Sequence, residues 1–152
     1  MSQPPLVSMA ILYQNQNFLM QLRDDYEHII CPGQWGLFGG HLEQEETPQS
    51  GLVREVIEEI NYFINKPTFF KSYNDDKAQR YIYFAALDQS LSKLELNEGQ
   101  DLDLVSIQSI REGQHYSSKI RQTRKLGAIH RQILLDFFEF ANNNLSGFCF
   151  NQ

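Results

Sequence analysis

A chain of 152 residues, 41% apolar and 12% aromatic, is long enough to bury the core of one globular domain, here expected to span 1–152. Its formal net charge of −6 excludes general binding to long nucleic acid, which needs a basic face, but admits a small phosphorylated ligand bridged by a divalent cation. No apolar run reaches the ~18 residues of a membrane span, so no membrane partner is expected.

The start, "MSQPPLVSMA", lacks the basic-then-apolar pattern of a signal peptide. Cys31 and Cys149 fit no metal-finger or disulfide-framework spacing and read as two thiols in a reducing cytoplasm. "PLVSMAILY" (5–13) and "NFLMQLR" (17–23) predict two strands joined by a tight turn at "QNQ", and "DDYEHIICPGQ" (24–34) predicts a loop. "WGLFGGHLE" (35–43) is short, apolar and broken by glycine. A helix is predicted over 47–61: Thr47 can cap its start, Pro48 suits the first helical position, and Asn61 suits a left-handed stop. Leu52, Val53, Val56, Ile57 and Ile60 fall in one arc of roughly 140°, and Glu55, Glu58 and Glu59 in an opposite arc of roughly 100°. "PTFFKSYND" (67–75) and "QRYIYFAALD" (79–88) predict a second strand pair, and "LVSIQSI" (104–110) a further strand. Leu126, Ile129, Ile133, Leu134, Phe137, Phe138 and Ala141 recur at helical spacing and mark a final helix with a core-facing stripe.

The three glutamates are the informative cluster. Like charges at i, i+3 and i, i+4 cost a helix roughly 0.2–0.5 kcal/mol per pair. They also crowd the last turns, where the helix dipole prefers cations. Gly51 lies in the middle of the same arc, and a mid-helix glycine costs about 1 kcal/mol relative to alanine. A solubilising face needs none of this. A hard divalent cation with oxygen ligands accounts for the first two features, and close packing of a neighbour or room at the site accounts for Gly51.

From Gly40 onward the chain resembles the Nudix box: glycine, five residues, glutamate, seven residues, then Arg-Glu-aliphatic-x-Glu-Glu-x-Gly-aliphatic. Here these are Gly40, Glu46, Arg54, Glu55, Val56, Glu58 and Glu59, with Asn61 in place of the usual glycine and Tyr62 in place of the aliphatic. The approach "GQWGLFGGHLE" also resembles the family, with Phe38 where proline is common. The resemblance implies an α/β fold, a Nudix-type α/β/α sandwich on a mixed β-sheet, over roughly 5–140. It implies hydrolysis of a pyrophosphate in a nucleoside diphosphate linked to another moiety, supported by Mg2+ or Mn2+. Glu55, Glu58 and Glu59 would share the metal with the Gly40 carbonyl. Arg54 would orient a box glutamate, and Glu46 would be structural, as the partner of Arg54. The general base is either a box glutamate such as Glu55 or an acid outside it, with Glu98 first and Asp101 second.

Other residues carry weaker signals. Arg23 could meet a phosphate or ribose, or be an exposed strand-end arginine; His41 could face the substrate or be half-exposed on a strand. Trp35, Tyr81 and Tyr83 could stack on a base, though strand aromatics usually belong to the core. "KIRQTRK" (119–125) could reach phosphates, and reads more simply as a solvated loop or helix face. His28, His115 and His130 show no metal-ligand spacing. A small nucleotide-derived substrate is expected, and the resemblance allows a homodimer. The rival readings are a Nudix-fold isomerase and a non-catalytic Nudix-like nucleotide-binding or regulatory domain, which commonly loses box glutamates; this chain has lost none.

Overall fold

The computed structural model describes residues 3–26 and 32–148. Cys31, Cys149, His28 and the middle of the expected 24–34 loop lie outside the described residues. The fold is α/β with a mixed β-sheet, the class expected from the sequence. The pairings described below are antiparallel, and one parallel bridge joins Trp35 to Leu126. No described helix is long and apolar enough to cross a membrane. The described residues divide into two compact units, 3–12 with 37–97 and 13–26 with 32–36 and 98–148.

The first unit holds most of β1 (Leu6–Gln14), then β4 (Phe38–His41), α1 (Pro48–Ile60), β5 (Thr68–Asn74) and β6 (Gln79–Ala86). β1 runs antiparallel to β4, Val7 opposite His41 and Ala10 opposite Phe38. β5 and β6 form the predicted hairpin, with an irregularity between Phe69 and Lys71. Ile11, Phe38, Leu52, Val56, Ile60 and Ile82 are fully buried there. Each such side chain contributes about 1.5–3 kcal/mol of burial. Tyr62 is buried too, and its hydroxyl donates to Asp88 Oδ1 at 2.7 Å, so the aromatic that replaces an aliphatic finds a polar partner.

The second unit holds β2 (Asn17–Leu22), β3 (Trp35–Gly36), β7 (Asp101–Val105), α2 (Ile107–Glu112), β8 (Gln114–Ser117), β9 (Gln122–Lys125) and α3 (Ala128–Asn144). The turn from β1 into β2 has Asn15 and Gln16 both left-handed (φ 52° and 66°), the conformation a two-residue hairpin requires to match strand twist. Tyr13, Phe18, Phe137 and Phe148 pack ring against ring with centroids 5.4–6.1 Å apart. The predicted α3 stripe is core, with Ile133, Leu134, Phe137 and Ala141 buried.

Two expectations are corrected here, and for Trp35 the core alternative holds. The strand expected over 104–110 ends at Val105, because Ser106 caps α2 by accepting from the Ser109 N–H and Gly113 closes it in the left-handed region. "KIRQTRK" is neither loop nor helix face throughout: its second half is β9, paired with β8 from Gln114 opposite Lys125 to Ser117 opposite Gln122. Trp35 is a core residue, fully buried, with its indole N–H donating to the His115 carbonyl at 3.0 Å.

Candidate active site

α1 begins and ends where its sequence says it should. Thr47 Oγ1 accepts from the Ser50 N–H at 3.1 Å, Ser50 Oγ accepts in return from the Thr47 N–H at 3.2 Å, and Pro48 opens the helix. Asn61 takes the left-handed stop (φ 54°, ψ 40°), and its N–H donates to the Ile57 carbonyl at 2.8 Å. The cap is worth about 1 kcal/mol.

The burial of α1 departs from the expected two-faced pattern. Leu52, Val56 and Ile60 are buried, but so are Gly51 and Glu59, while Val53 is half-buried and Ile57 is 40% exposed. At 100° per residue the buried arc runs roughly 180°, from Gly51 through Glu55 and Glu59 to Ile60. The carboxylate side is therefore turned toward the chain at 39–46. Gly51 leaves space that the Leu42 side chain fills, so close packing accounts for the helical glycine. Four residues on, Glu55 lies against Gly40: a Cβ at Gly40 would stand 2.5 Å from Glu55 Cδ. Four further, Glu59 Oε1 accepts the Gly39 N–H at 3.0 Å. Gly39 has φ +145°, and a Cβ there would run into the Ser8 carbonyl oxygen, so only glycine fits.

Arg54 gathers the acidic groups. Its Nε donates to Glu46 Oε2 at 2.6 Å and its Nη2 to Glu46 Oε1 at 3.0 Å, a two-pronged pair. Nη1 reaches Glu55 Oε1 at 3.1 Å and Glu58 Oε1 at 3.3 Å, with Glu43 Oε2 at 3.7 Å. Nη2 also donates to the His41 carbonyl at 3.3 Å. The Arg54 hydrogen bond, aided by the Glu43 N–H, holds the Glu46 carboxyl down at about 2. Reciprocally, the Glu46 carboxylate raises the Arg54 guanidinium above its ordinary value, so it stays charged.

The structure thus brings Gly40, His41, Glu46, Arg54, Glu55, Glu58 and Glu59 together in the first unit. His41 is exposed on β4, and Glu58 is exposed with its carboxylate on Arg54. Arg23 and Glu98 belong to the second unit. Arg23 is half-buried, its N–H donating to the Gln34 carbonyl at 2.9 Å, and Glu98 is exposed before β7. Asp101 is occupied structurally: Oδ2 accepts from the Ser117 hydroxyl at 2.6 Å. Among the described residues no three His, Cys, Asp or Glu side chains converge as a ready-made metal cluster. The reason is visible in the contacts, since Arg54 engages Glu55 and Glu58 while Glu59 is turned to the Gly39 N–H. The donor set still suits a hard cation: three carboxylates from adjacent turns, one of them resting on glycine backbone where no Cβ fits.

Sequence reasoning missed two contributors. Gly39 supplies the N–H that the Glu59 carboxylate accepts, a bond that a glycine gives no sequence sign of. Asn97, which bonds the end of α1, carries no motif that would mark it.

A family model described as NUDIX domain matches residues 3–126. No curated protein sequence matches the chain. Among solved structures, the MutT NUDIX hydrolase from Burkholderia pseudomallei is similar at 17% identity and TM-score 0.67, covering 88% of this chain and 98% of that one. The MutT protein from Methanosarcina mazei Go1 is similar at 19% identity and TM-score 0.67, covering 96% and 99%. A bifunctional NMN adenylyltransferase/ADP ribose pyrophosphatase from Francisella tularensis, complexed with AMP and a Mn ion, is similar at 21% identity and TM-score 0.63, covering 92% of this chain and 42% of that one. At these identities the likeness to solved structures is one of fold, while the family match runs through both units and the whole box. The chain belongs to the NUDIX domain family of hydrolases.

Proposed function

We propose that the chain is a Mg2+-dependent pyrophosphohydrolase, with Mn2+ able to substitute, acting on a small nucleoside-diphosphate derivative. Candidate substrates are a nucleotide sugar, an ADP-ribose-like compound or a nucleoside triphosphate. The observation that carries this reading is the seating of the Glu55 carboxylate on the Gly40 backbone, in line with Gly51 above and Glu59 below. Gly40, Glu55, Glu58 and Glu59 would hold the cation, which when bound offsets phosphate charge and acidifies water. Arg54 directs Glu55 through Nη1 while its other two donors are fixed on Glu46, so the guanidinium cannot swing away freely. Glu46 is the anchor of that arrangement, staying ionised throughout the neutral range. The proton acceptor is a box glutamate or Glu98, and Arg23 and His41 are assigned to substrate contact.

The family match across 3–126 supports treating both units as parts of one Nudix domain. The setting proposed is the cytoplasm. The net charge of −6 argues against a capped RNA as preferred substrate, since a long polyanion would be repelled. A homodimer remains part of the proposal. The test is phosphate release from a nucleotide panel with and without Mg2+, including a competing capped RNA oligomer. Cation-dependent release from a small nucleotide is expected. Binding without turnover across the panel would favour a regulatory domain, and a rate preference for the RNA would overturn the substrate class.

A further inference from the structure

The last turn of α1 carries Glu58 and Glu59, has no basic residue, and ends where the helix dipole places partial negative charge. Its terminal carbonyls are nevertheless all answered. The Ile57 carbonyl accepts from the Asn61 N–H at 2.8 Å, and the Ile60 carbonyl from the Glu95 N–H at 3.2 Å. The two between them share one partner. Asn97 donates its backbone N–H to the Glu59 carbonyl at 2.9 Å and its side-chain Nδ2 to the Glu58 carbonyl at 3.0 Å. Asn61 ties the same segment back, Nδ2 donating to Glu95 Oε2 at 3.2 Å.

We propose that Asn97 is a positioning residue for the cation-binding carboxylates, clamping the backbone from which Glu58 and Glu59 project. This rests on the reading of those glutamates as metal ligands. Two donors on consecutive carbonyls fix the peptide planes on both sides of Glu59, and with them the direction in which its side chain leaves the helix toward Gly39. The clamp also resolves the electrostatic conflict of the last turn. Lysine or arginine is the usual complement to a helix C-terminus, but a second full cation there, in addition to Arg54, would compete with a metal for the same carboxylates. Amide N–H dipoles satisfy the carbonyls without bringing a rival charge. The arrangement answers why acidic residues are tolerated at this end of the helix.

The experiment measures Mn2+ affinity by electron paramagnetic resonance on wild type and Asn97→Ala, at a temperature where both are folded. Asn143→Ala serves as control, because Asn143 makes the same kind of side-chain bond to the Glu139 carbonyl on α3. Loss of one such bond should weaken Mn2+ binding about fivefold in Asn97→Ala. Hydrogen exchange of the amides at 57–61 should accelerate while the β5–β6 hairpin is unaffected, and Asn143→Ala should leave affinity at the wild-type value. A merely structural Asn97 would lower the melting temperature and leave the affinity of the folded protein unchanged, which would overturn the clamp. Wild type that binds no Mn2+ would overturn the metal reading itself, and the clamp with it.

Discussion

Adding one methyl group at Gly39 or at Gly40 should produce two different failures, although the residues are adjacent on one strand. In Gly40→Ala the new Cβ would stand 2.5 Å from Glu55 Cδ and 2.6 and 2.7 Å from its two oxygens. Those atoms end a flexible side chain, so the carboxylate can retreat by the ~1 Å needed to restore ordinary contact. The fold loses at most the Glu55–Arg54 contact, a partly exposed pair worth less than about 1 kcal/mol. A reacting group displaced by about 1 Å can cost on the order of 100-fold in rate. In Gly39→Ala the Cβ meets the Ser8 carbonyl oxygen and comes within 2.8 Å of Met9 Cα, both main chain, at φ +145°. Backbone strain of about 1–3 kcal/mol and overpacking of about 1–3 kcal/mol add to roughly 2–6 kcal/mol. For a chain of this length that lowers Tm by roughly 5–20 °C. Thermal unfolding by circular dichroism and turnover on the best nucleotide should therefore separate the two: Gly40→Ala folded and slow, Gly39→Ala poorly folded. The reasoning fails if Gly40→Ala keeps full turnover, or if it is destabilised as much as Gly39→Ala.

Glu59→Gln should lower turnover by orders of magnitude with Tm unchanged or slightly raised, because glutamine still accepts the Gly39 N–H while one negative charge is removed; full Mg2+-dependent activity would release Glu59 from its role as a ligand. Glu46 has its folded carboxyl lowered from 4.5 to about 2, so its contribution to stability is present above pH 4.5 and is lost as pH falls through about 2. Urea unfolding of Glu46→Gln should accordingly show a shallower loss of stability across that acid window than wild type, and equal slopes would contradict the Arg54 pairing. Glu98→Gln should reduce turnover with a modest change in KM, as expected when a proton acceptor goes and binding groups stay; an unaltered pH–rate profile would move the base into the box.

Much of the first unit was legible because local chemistry decides it. Thr47, Pro48 and Asn61 bound α1 regardless of what surrounds it, and both ends stand within a residue of the expected limits. The apolar and aromatic runs of β1, β2, β5 and β6 were equally explicit. The rotation of α1 was not, because apolarity placed Val53 and Ile57 inward, whereas the close approach of 39–42 turns Gly51, Glu55 and Glu59 there instead. That contact is set by glycines, which leave no hydrophobic signal. The β8–β9 hairpin was hidden for a related reason: "QHYS" and "QTRK" are polar and mostly exposed, so no alternation marks them. In "LVSIQSI" the apolar content suggested a strand, while Ser106 and Gly113, a cap and a stop, were the stronger determinants.

The crowded glutamates prove not to be equivalent, and this is how the chain sustains them. Glu46 is fastened to two donors of Arg54 and is a fixed anchor. Glu55 shares the remaining Arg54 nitrogen and rests on Gly40, so that hydrogen bond and shape both act on it. Glu58 touches the same nitrogen from an exposed position, the weakest tie of the four. Glu59 is buried and takes a neutral N–H from Gly39. One guanidinium thus faces Glu46, Glu55 and Glu58, and two of those three ties converge on its single Nη1. A cation that withdrew Glu55 and Glu58 from Nη1 would leave the Glu46 pair in place, so the scaffold need not be dismantled for the carboxylates to change partners. The same economy explains the ordering of the sequence: the anchor Glu46 precedes the helix, Arg54 sits two turns in, and the exchangeable carboxylates follow within one turn of it.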